Sequence, residues 1–403
     1  VSTGSRATIG GMTGNNSCGA RSIRYGTMRD NVSALEAIFI DGSRHQFGLS
    51  SRDNEPNRFN RQLFDIGDKY AEEVAHRFPD VQRRVGGYNI DALARLPNGT
   101  NNLAHLLVGS EGTLAYSERI QLHLSNIPSH KVLGVCHFPT FYAAMDSAQH
   151  IVKLGPSAVE LVDRTMIELA RDIPLFRDVI GQIVVGQPDA LLLVEFSGDD
   201  FDAQLQGLKQ LQELMSDLGF SGGVTEALNP GFQKEIWEVR KSGLNIMMSM
   251  KGDGKPVSFI EDCAVRLEDL AEYTRRLTEI FSKYETSGTW YAHASVGCLH
   301  VRPVLNVKQD IEVIKMRAIA EEAFEMVREY KGSHSGEHGD GLVRSEFHAA
   351  MFGEKMITAF TDVKNLFDPS GLLNPGKIVR PSKMDDRSLF RYKPGYKTKP
   401  MEN

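Results

Sequence analysis

The sequence predicts an α+β protein, with a strand-rich, glycine-punctuated first part followed by strand-helix units that form a ferredoxin-like layer with helices on one face. Three observations lead there. Up to Leu124, short apolar or β-branched runs alternate with glycine turns; past Pro128, short apolar runs alternate with helical periodicity. At 403 residues the chain also exceeds one ordinary core, so two or three domains are expected.

In order along the chain, ALEAIFIDG and the text around GSEGTLAYSERIQLHL are strand-like, and residues 53–85 between them have a helical, amphipathic pattern. VLGVCHF, SAVELVD and ALLLVEF then read as strands, with a helix through TFYAAMDSAQHIVK and another before ALLLVEF. The next helix aligns Leu205, Leu208, Leu211, Met215 and Leu218 and ends at Gly219. VSFIEDC repeats the strand signal, 266–284 repeats the helix, and 311–330 is a further helix. The expected division is therefore 1–127, a cap over 128–330, a C-terminal segment over 331–382, and a basic tail or strap over 383–403.

A formal charge of −6, with both signs spread along the chain, argues against nucleic acid as a partner. Cys18, Cys136, Cys263 and Cys298 stand far apart with no C-x-x-C pair, so no iron-sulfur cluster is expected here and a reduced, cytoplasmic protein is the simplest expectation. No run approaches the roughly 18 apolar residues of a membrane span, and the first residues lack a signal-peptide pattern. The glycine-rich text starts at once without an initiator Met, as in a fragment or processed chain.

Four stretches carry chemistry. IGGMTGNNSCGARSIRYGTMRDN holds Gly10, Gly11, Gly14, Gly19 and Gly26 around Asn15, Asn16 and Ser17, which suits close backbone approach to a phosphate or flat ring, or else a glycine-rich surface loop. In YAHASVGCLHVRP, a two-residue turn at Val296-Gly297 would set His293 opposite His300, either as two ligands of one metal or as a buried histidine pair. GEHGDGLVRSEF adds Glu337 as an oxygen ligand and His338 as a base on a diverging side chain; an exposed turn is the plain alternative. Arg240 and Arg302 are candidates for a carboxylate clamp.

Taken together, ATIGGMTGNNSCGARSIRYGTMRDNV, LLVGSEGTLAYSERIQL, HASVGCLH, HSGEHGDGLVRSEF and LFDPSGLLNPGKI resemble the vanillyl-alcohol-oxidase-type flavoproteins. The resemblance is closest to their FAD-linked D-2-hydroxyacid dehydrogenases, and within these to the bacterial D-2-hydroxyglutarate dehydrogenases fused to an iron-sulfur part. It runs over nearly the whole chain. It implies an FAD-binding domain over 1–127 that lacks its first part, beneath a substrate cap. Gly10, Gly11, Asn15, Ser17 and Gly19 would line the pyrophosphate and ribityl chain, with Gly109, Glu111 and Gly112 near the adenine side and Asn374 near the isoalloxazine. His293, His300 and Glu337 match divalent-metal ligands, zinc first; His338 matches the residue beside flavin N5 and Arg240 the carboxylate-holding arginine.

The chain departs from that family in three ways. A glycine loop of the type PRGGGTS usually precedes the first motif; Cys298 stands where Asn usually follows Gly297, and Arg302 where Asn usually follows the second His. The implied activity is oxidation of a D-2-hydroxyacid, either D-2-hydroxyglutarate, D-lactate or glycolate, with hydride transfer to flavin N5 and His338 as base. Arg302 or Lys255 would read a second carboxylate. Electrons would pass to an acceptor or to an iron-sulfur domain beyond the C-terminus, and a homodimer is an open assembly. A metal-dependent hydrolase built on the same His-Glu set and a non-catalytic fragment without FAD are the other functions the residues allow.

Overall fold

The computed structural model describes residues 4–397 of the chain. Strand β1 (Val32–Ile38) pairs with β2 (Arg44–Phe47), β3 (Leu49–Ser51) with β4 (Thr100–Asn102), and β5 (Tyr116–Leu122) with the free edge of β1, all antiparallel. The expected amphipathic helix is Arg58–Arg77, started by Asn57, whose side chain accepts from Phe59 and Asn60 N–H, and it buries Leu63, Phe64, Tyr70 and Val74. It packs against the Glu354–Phe367 helix, which brings the end of the chain back onto its beginning. There the buried Lys364 donates to Thr113 O at 2.5 Å and pairs with Asp368 at 2.7 Å, fastening the DPSGLLNPGK turn to the glycine loop at 109–113.

The second part is a seven-stranded sheet. It comprises β6 (His130–Phe138), β7 (Ala158–Asp163), β8 (Ala190–Gly198), β9 (Val224–Ala227), β10 (Lys255–Pro256), β11 (Gly288–His293) and β12 (Cys298–Leu305). The order is β10-β12-β11-β7-β8-β6-β9, with every pairing antiparallel. Helices cover both of its faces, not one. Phe141–Ile151, Phe201–Asp217 and Leu270–Lys283 bury one face with Val132, Leu161, Leu192 and Val194. Arg164–Asp172, Pro174–Ile183 and Pro230–Lys241 bury the other with Leu133, Val135, Val162 and Leu193. Continuous apolar runs such as ALLLVEF, with no polar alternation, are what a strand covered on both sides requires. Each fully buried Leu or Val there contributes roughly 1.5–3 kcal/mol.

Of the strand expected at VSFIEDC, only Lys255–Pro256 next to it is regular. Asp262 adopts φ 79°, and the chain crosses β12 through Asp262 N to Leu299 O and Leu299 N to Cys263 O. The acids of that run are buried in the site described below. The start of the tail meets the Asp310–Glu329 helix, where Arg317 pairs with Asp385 at 2.8 Å. Among the described residues no helix is long and apolar enough to cross a membrane, and the four cysteines are unpaired.

Buried Asp163 caps the Arg164–Asp172 helix, accepting from Met166 N at 2.8 Å, and also accepts from Trp290 N at 3.1 Å. Burial pushes its carboxyl up to about 7. A carboxyl whose folded pKa lies above its unfolded value stabilises fully below the unfolded pKa and loses that contribution as pH rises toward 7. Asp163→Asn removes the titration, so between pH 5 and pH 8 its stability relative to wild type shifts in favour of Asn by on the order of 2 kcal/mol, read from urea unfolding.

Candidate active site

The β11–β12 hairpin carries both site histidines, but in a register other than the predicted one. Ala294–Gly297 form the turn, with Gly297 left-handed at φ 65°, so that His293 faces Cys298 and Tyr291 faces His300. A four-residue turn keeps the two histidines on one sheet face as diagonal neighbours, with ring centroids 4.9 Å apart and edge to face.

Glu337 enters from the loop after the Asp310–Glu329 helix, and one of its oxygens collects three imidazoles. Oε1 lies 3.1 Å from His293 Nε2, 3.0 Å from His300 Nε2 and 3.2 Å from His338 Nε2. Oε2 pairs with the wholly buried Arg83 at 3.0 Å. The loop is held from below by Asp262, which accepts from Glu337 N at 2.9 Å and His338 N at 2.7 Å. Asn15 holds it from the other side, donating to Glu337 O at 2.6 Å. Further acids orient the histidines: Glu160 accepts from His293 Nδ1 at 2.7 Å and Glu261 from His338 Nδ1 at 3.0 Å. His338 stacks on His300 at 4.7 Å, 13° from parallel.

The electrostatics follow from burying so many charges together. Burial raises the Glu337 carboxyl, but His293 and His300 outweigh it and hold it well below the carboxylate range. Burial drives His300 down to about 3 against the pull of Glu337, leaving it neutral. Burial also lowers His293 and His338, yet Glu160 and Glu337 raise the first, and Asp262, Glu261 and Glu337 hold the second well above its ordinary value. Glu261 would rise on burial but is brought to about 2, chiefly by His338. Nitrogen and oxygen donors at this spacing are a set that can hold a divalent cation of the zinc class.

Two cavities meet at this loop. A cleft of about 1100 Å³ is lined by Gly10, Gly11, Gly14, Asn15, Glu111, Gly112, His338 and Asp340, among others. A second cavity of about 660 Å³ has Ser17, Gly19, Arg21, Arg240, Tyr291, His293, His300, Arg302, Glu337 and His338 on its wall. The predicted glycine set is thus divided, Gly10, Gly11 and Asn15 facing the cleft and Ser17 and Gly19 the cavity. Gly109 and Asn374 do not line the cleft but brace it: Gly109 N donates to Thr13 O at 2.9 Å and Asn374 Nδ2 to Glu111 O at 2.6 Å. Glu111 ties the cleft to the loop, accepting from Asp340 N at 2.5 Å and Gly341 N at 3.0 Å. Burial, then Asp340, raises its carboxyl to about 7.

Arg240 reaches the cavity already paired, with Glu160 at 2.5 Å, and lies over the Tyr291 ring. Arg302 is paired with Glu261 and donates to Tyr291 Oη at 2.5 Å. Lys255 donates to Met250 O and is not on the wall of either cavity. Sequence reasoning missed Arg21, Arg83, Glu160, Glu261 and Asp262. A signal for three of these was present, since SAVELVD and VSFIEDC put acids inside apolar runs, where a charge is costly unless it is partnered.

A glycine-lined cleft and an arginine-lined cavity thus meet at one histidine, His338. Residues 127–378 match the C-terminal domain of FAD linked oxidases and residues 1–48 an FAD binding domain, and the chain belongs to the FAD-linked oxidase family. Curated relatives include the D-2-hydroxyglutarate dehydrogenases of Pseudomonas putida, 31% identical, and Escherichia coli, 29% identical, over 94% and 96% of this chain. The chain spans 39% of the length of each. The D-lactate dehydrogenase of Archaeoglobus fulgidus is 28% identical over 93% of this chain and 70% of its own length. Among solved structures, p-cresol methylhydroxylase with substrate bound shares the fold at TM-score 0.61 and 11% identity, covering 92% of this chain and 68% of that one. These matches bear out the resemblance to vanillyl-alcohol-oxidase-type flavoproteins and lend no support to the hydrolase alternative.

Removing Arg83 leaves the Glu337 carboxylate buried beside its histidines without that cation. Arg83→Met therefore lowers stability by about 3–5 kcal/mol in urea unfolding, more than a surface arginine change, which stays within about 0.5 kcal/mol.

Proposed function

We propose that this chain is the flavin and substrate part of an FAD-linked dehydrogenase that oxidises a D-2-hydroxyacid to the 2-oxoacid, with D-2-hydroxyglutarate favoured over D-lactate or glycolate. The observation that carries this reading is the position of His338, which lines the glycine-rich cleft and the arginine-rich cavity alike. A proton acceptor at that seam can touch a substrate whose reacting carbon faces the cleft.

The residues fit the groups this chemistry needs. Gly10 and Gly112 have no atom within 4 Å of where a Cβ would stand, leaving the cleft floor open to a flat ring or a diphosphate. Gly11, Asn15 and Glu111 would line the flavin with them, Gly109 and Asn374 would support it, and Ser17 and Gly19 would border it on the substrate side. His293, His300 and Glu337 would hold a divalent cation, zinc being the best match to two imidazoles and a carboxylate. When bound, the flavin supplies the hydride acceptor and the cation acidifies the substrate hydroxyl.

The remaining steps belong to the side chains. Arg240 takes the substrate carboxylate; Glu160 holds its guanidinium through Nη2 and so fixes the direction of the fork. Arg302 and Arg21, on the same wall, suit a second carboxylate, which favours a 2-hydroxydiacid. His338 accepts the hydroxyl proton at Nε2 while Glu261 holds Nδ1. Asp262, Glu261 and Glu337 hold the pKa of the imidazole well above its ordinary value, which makes it a strong proton acceptor. Electrons would leave to an acceptor outside this chain.

In the full-length protein, with a dye acceptor and D-2-hydroxyglutarate, His338→Gln lowers kcat by about 10²–10⁴ while the far-UV circular dichroism is unchanged. An unaltered kcat removes His338 from its role. Arg240→Lys raises KM by roughly 10-fold or more, because a point charge replaces a two-pronged donor. Chelation lowers turnover and added zinc restores it; full activity of metal-free protein eliminates the cation.

A further inference from the structure

On the far side of the same loop lies a second polar cluster that the proposed reaction does not use. His334, Asp340 and His348 are 0%, 1% and 1% exposed. Each offers one ligand atom, and these atoms lie within 4.8 Å of one another. Asp340 Oδ1 is 3.7 Å from His334 Nε2, and Asp340 Oδ2 is 3.0 Å from His348 Nε2.

Hydrogen bonding leaves this group unfinished. His348 Nδ1 is 2.9 Å from Ile378 O, so it carries the proton and turns the Nε2 lone pair toward Asp340. Neither nitrogen of His334 has a partner, and neither does Asp340 Oδ1. Orphaned buried groups cost about 1–3 kcal/mol each. A proton on His348 would reconcile only its own contact with Asp340 and would leave His334 and Oδ1 as they are. One divalent cation meets His334, Asp340 and His348 together. Donors about 2.0–2.2 Å from a tetrahedral zinc stand roughly 3.3 Å apart, a spacing that the two Asp340 contacts of 3.0 and 3.7 Å bracket.

The surroundings are shaped for it. Gly86 closes over the cluster, where a Cβ would come within 3.0 Å of His334 Cε1 and 3.2 Å of Asp340 Oδ1. Phe324 and Phe352 set their rings at 5.6 and 5.8 Å from that of His334, in T-shaped contact.

We propose that His334, Asp340 and His348 form a second, wholly buried site for a divalent transition-metal cation of the zinc class. The site shares no ligand with His293, His300 and Glu337. His334 and Asp340 bracket Glu337 and His338 in sequence, so a cation here pins both ends of that loop to the His348–Phe352 helix. Its role is structural, holding the candidate catalytic side chains in place.

The test is zinc per chain, by elemental analysis of full-length protein purified from zinc-supplemented culture. In a Glu337→Gln background, which disables the other site, about one zinc per chain remains, and adding His334→Phe abolishes it. His348→Gln serves as a second probe should the phenylalanine variant fail to fold. Cobalt grown in place of zinc gives visible d–d bands that either histidine change removes. Folded Glu337→Gln protein with less than a tenth of an equivalent of zinc overturns the proposal, as does a zinc content indifferent to both histidine changes. Loss of metal on Glu337→Gln relative to wild type reports separately on the other site.

Discussion

Much of this molecule is arranged around one buried carboxylate. Glu337 is nearly sealed from water and touches three imidazoles and a guanidinium. A charge so placed is tolerable only with its partners fixed, because the loss of hydration exceeds what loosely held counter-charges return. The partners arrive from distant parts of the chain: Arg83 after the first long helix, His293 and His300 from the hairpin, His338 from the loop itself. Folding the sheet, closing the first part and returning the C-terminal segment are thus coupled through a single side chain.

That coupling extends one layer outward. Asp262, in a left-handed conformation that few non-glycine residues adopt, aims its carboxylate at two successive amides of the loop. Glu160 links His293 to Arg240, and Glu261 links His338 to Arg302, so each acid orients a histidine on one side and an arginine on the other. Such outer partners fix ring orientation and tautomer, the usual requirement for metal-binding or proton-accepting imidazoles. The geometry of the candidate site is held by chains of alternating charge as well as by packing.

How much of this the sequence disclosed depended on whether the chemistry was local. Glu337 and His338, between glycines, stand out because no helix or strand needs them there. The long helices were legible from apolar periodicity, as with Leu208, Leu211 and Met215. The hairpin register was not, since turn length decides it and AHASVGCLH admits both a two-residue and a four-residue turn with Gly297 left-handed. The segment VSFIEDC has the composition of a strand but is bent at Asp262 to serve the loop, a tertiary demand that propensity does not encode. Helices on both faces were implied by ALLLVEF and VLGVCHF, whose lack of alternation carried more information than the motif they were assigned to.

The arginines of the second cavity show how the pairing of charges bears on recognition. Arg21, Arg240 and Arg302 are each bound to an internal acid, Glu195, Glu160 and Glu261, and at first sight are spent. A guanidinium has five donors in a rigid fork, however, and an acid that holds one or two of them leaves the others aimed in a fixed direction. An arginine free to move would lose more side-chain entropy on closing around an anion than one already held. The internal acids also limit the net positive charge of the wall, so that a single stray anion gains little, whereas a diacid that meets two arginines at once gains twice. On the proposed function, selectivity for a ligand with carboxylates at a set spacing would come from the rigidity of the paired side chains rather than from the amount of positive charge.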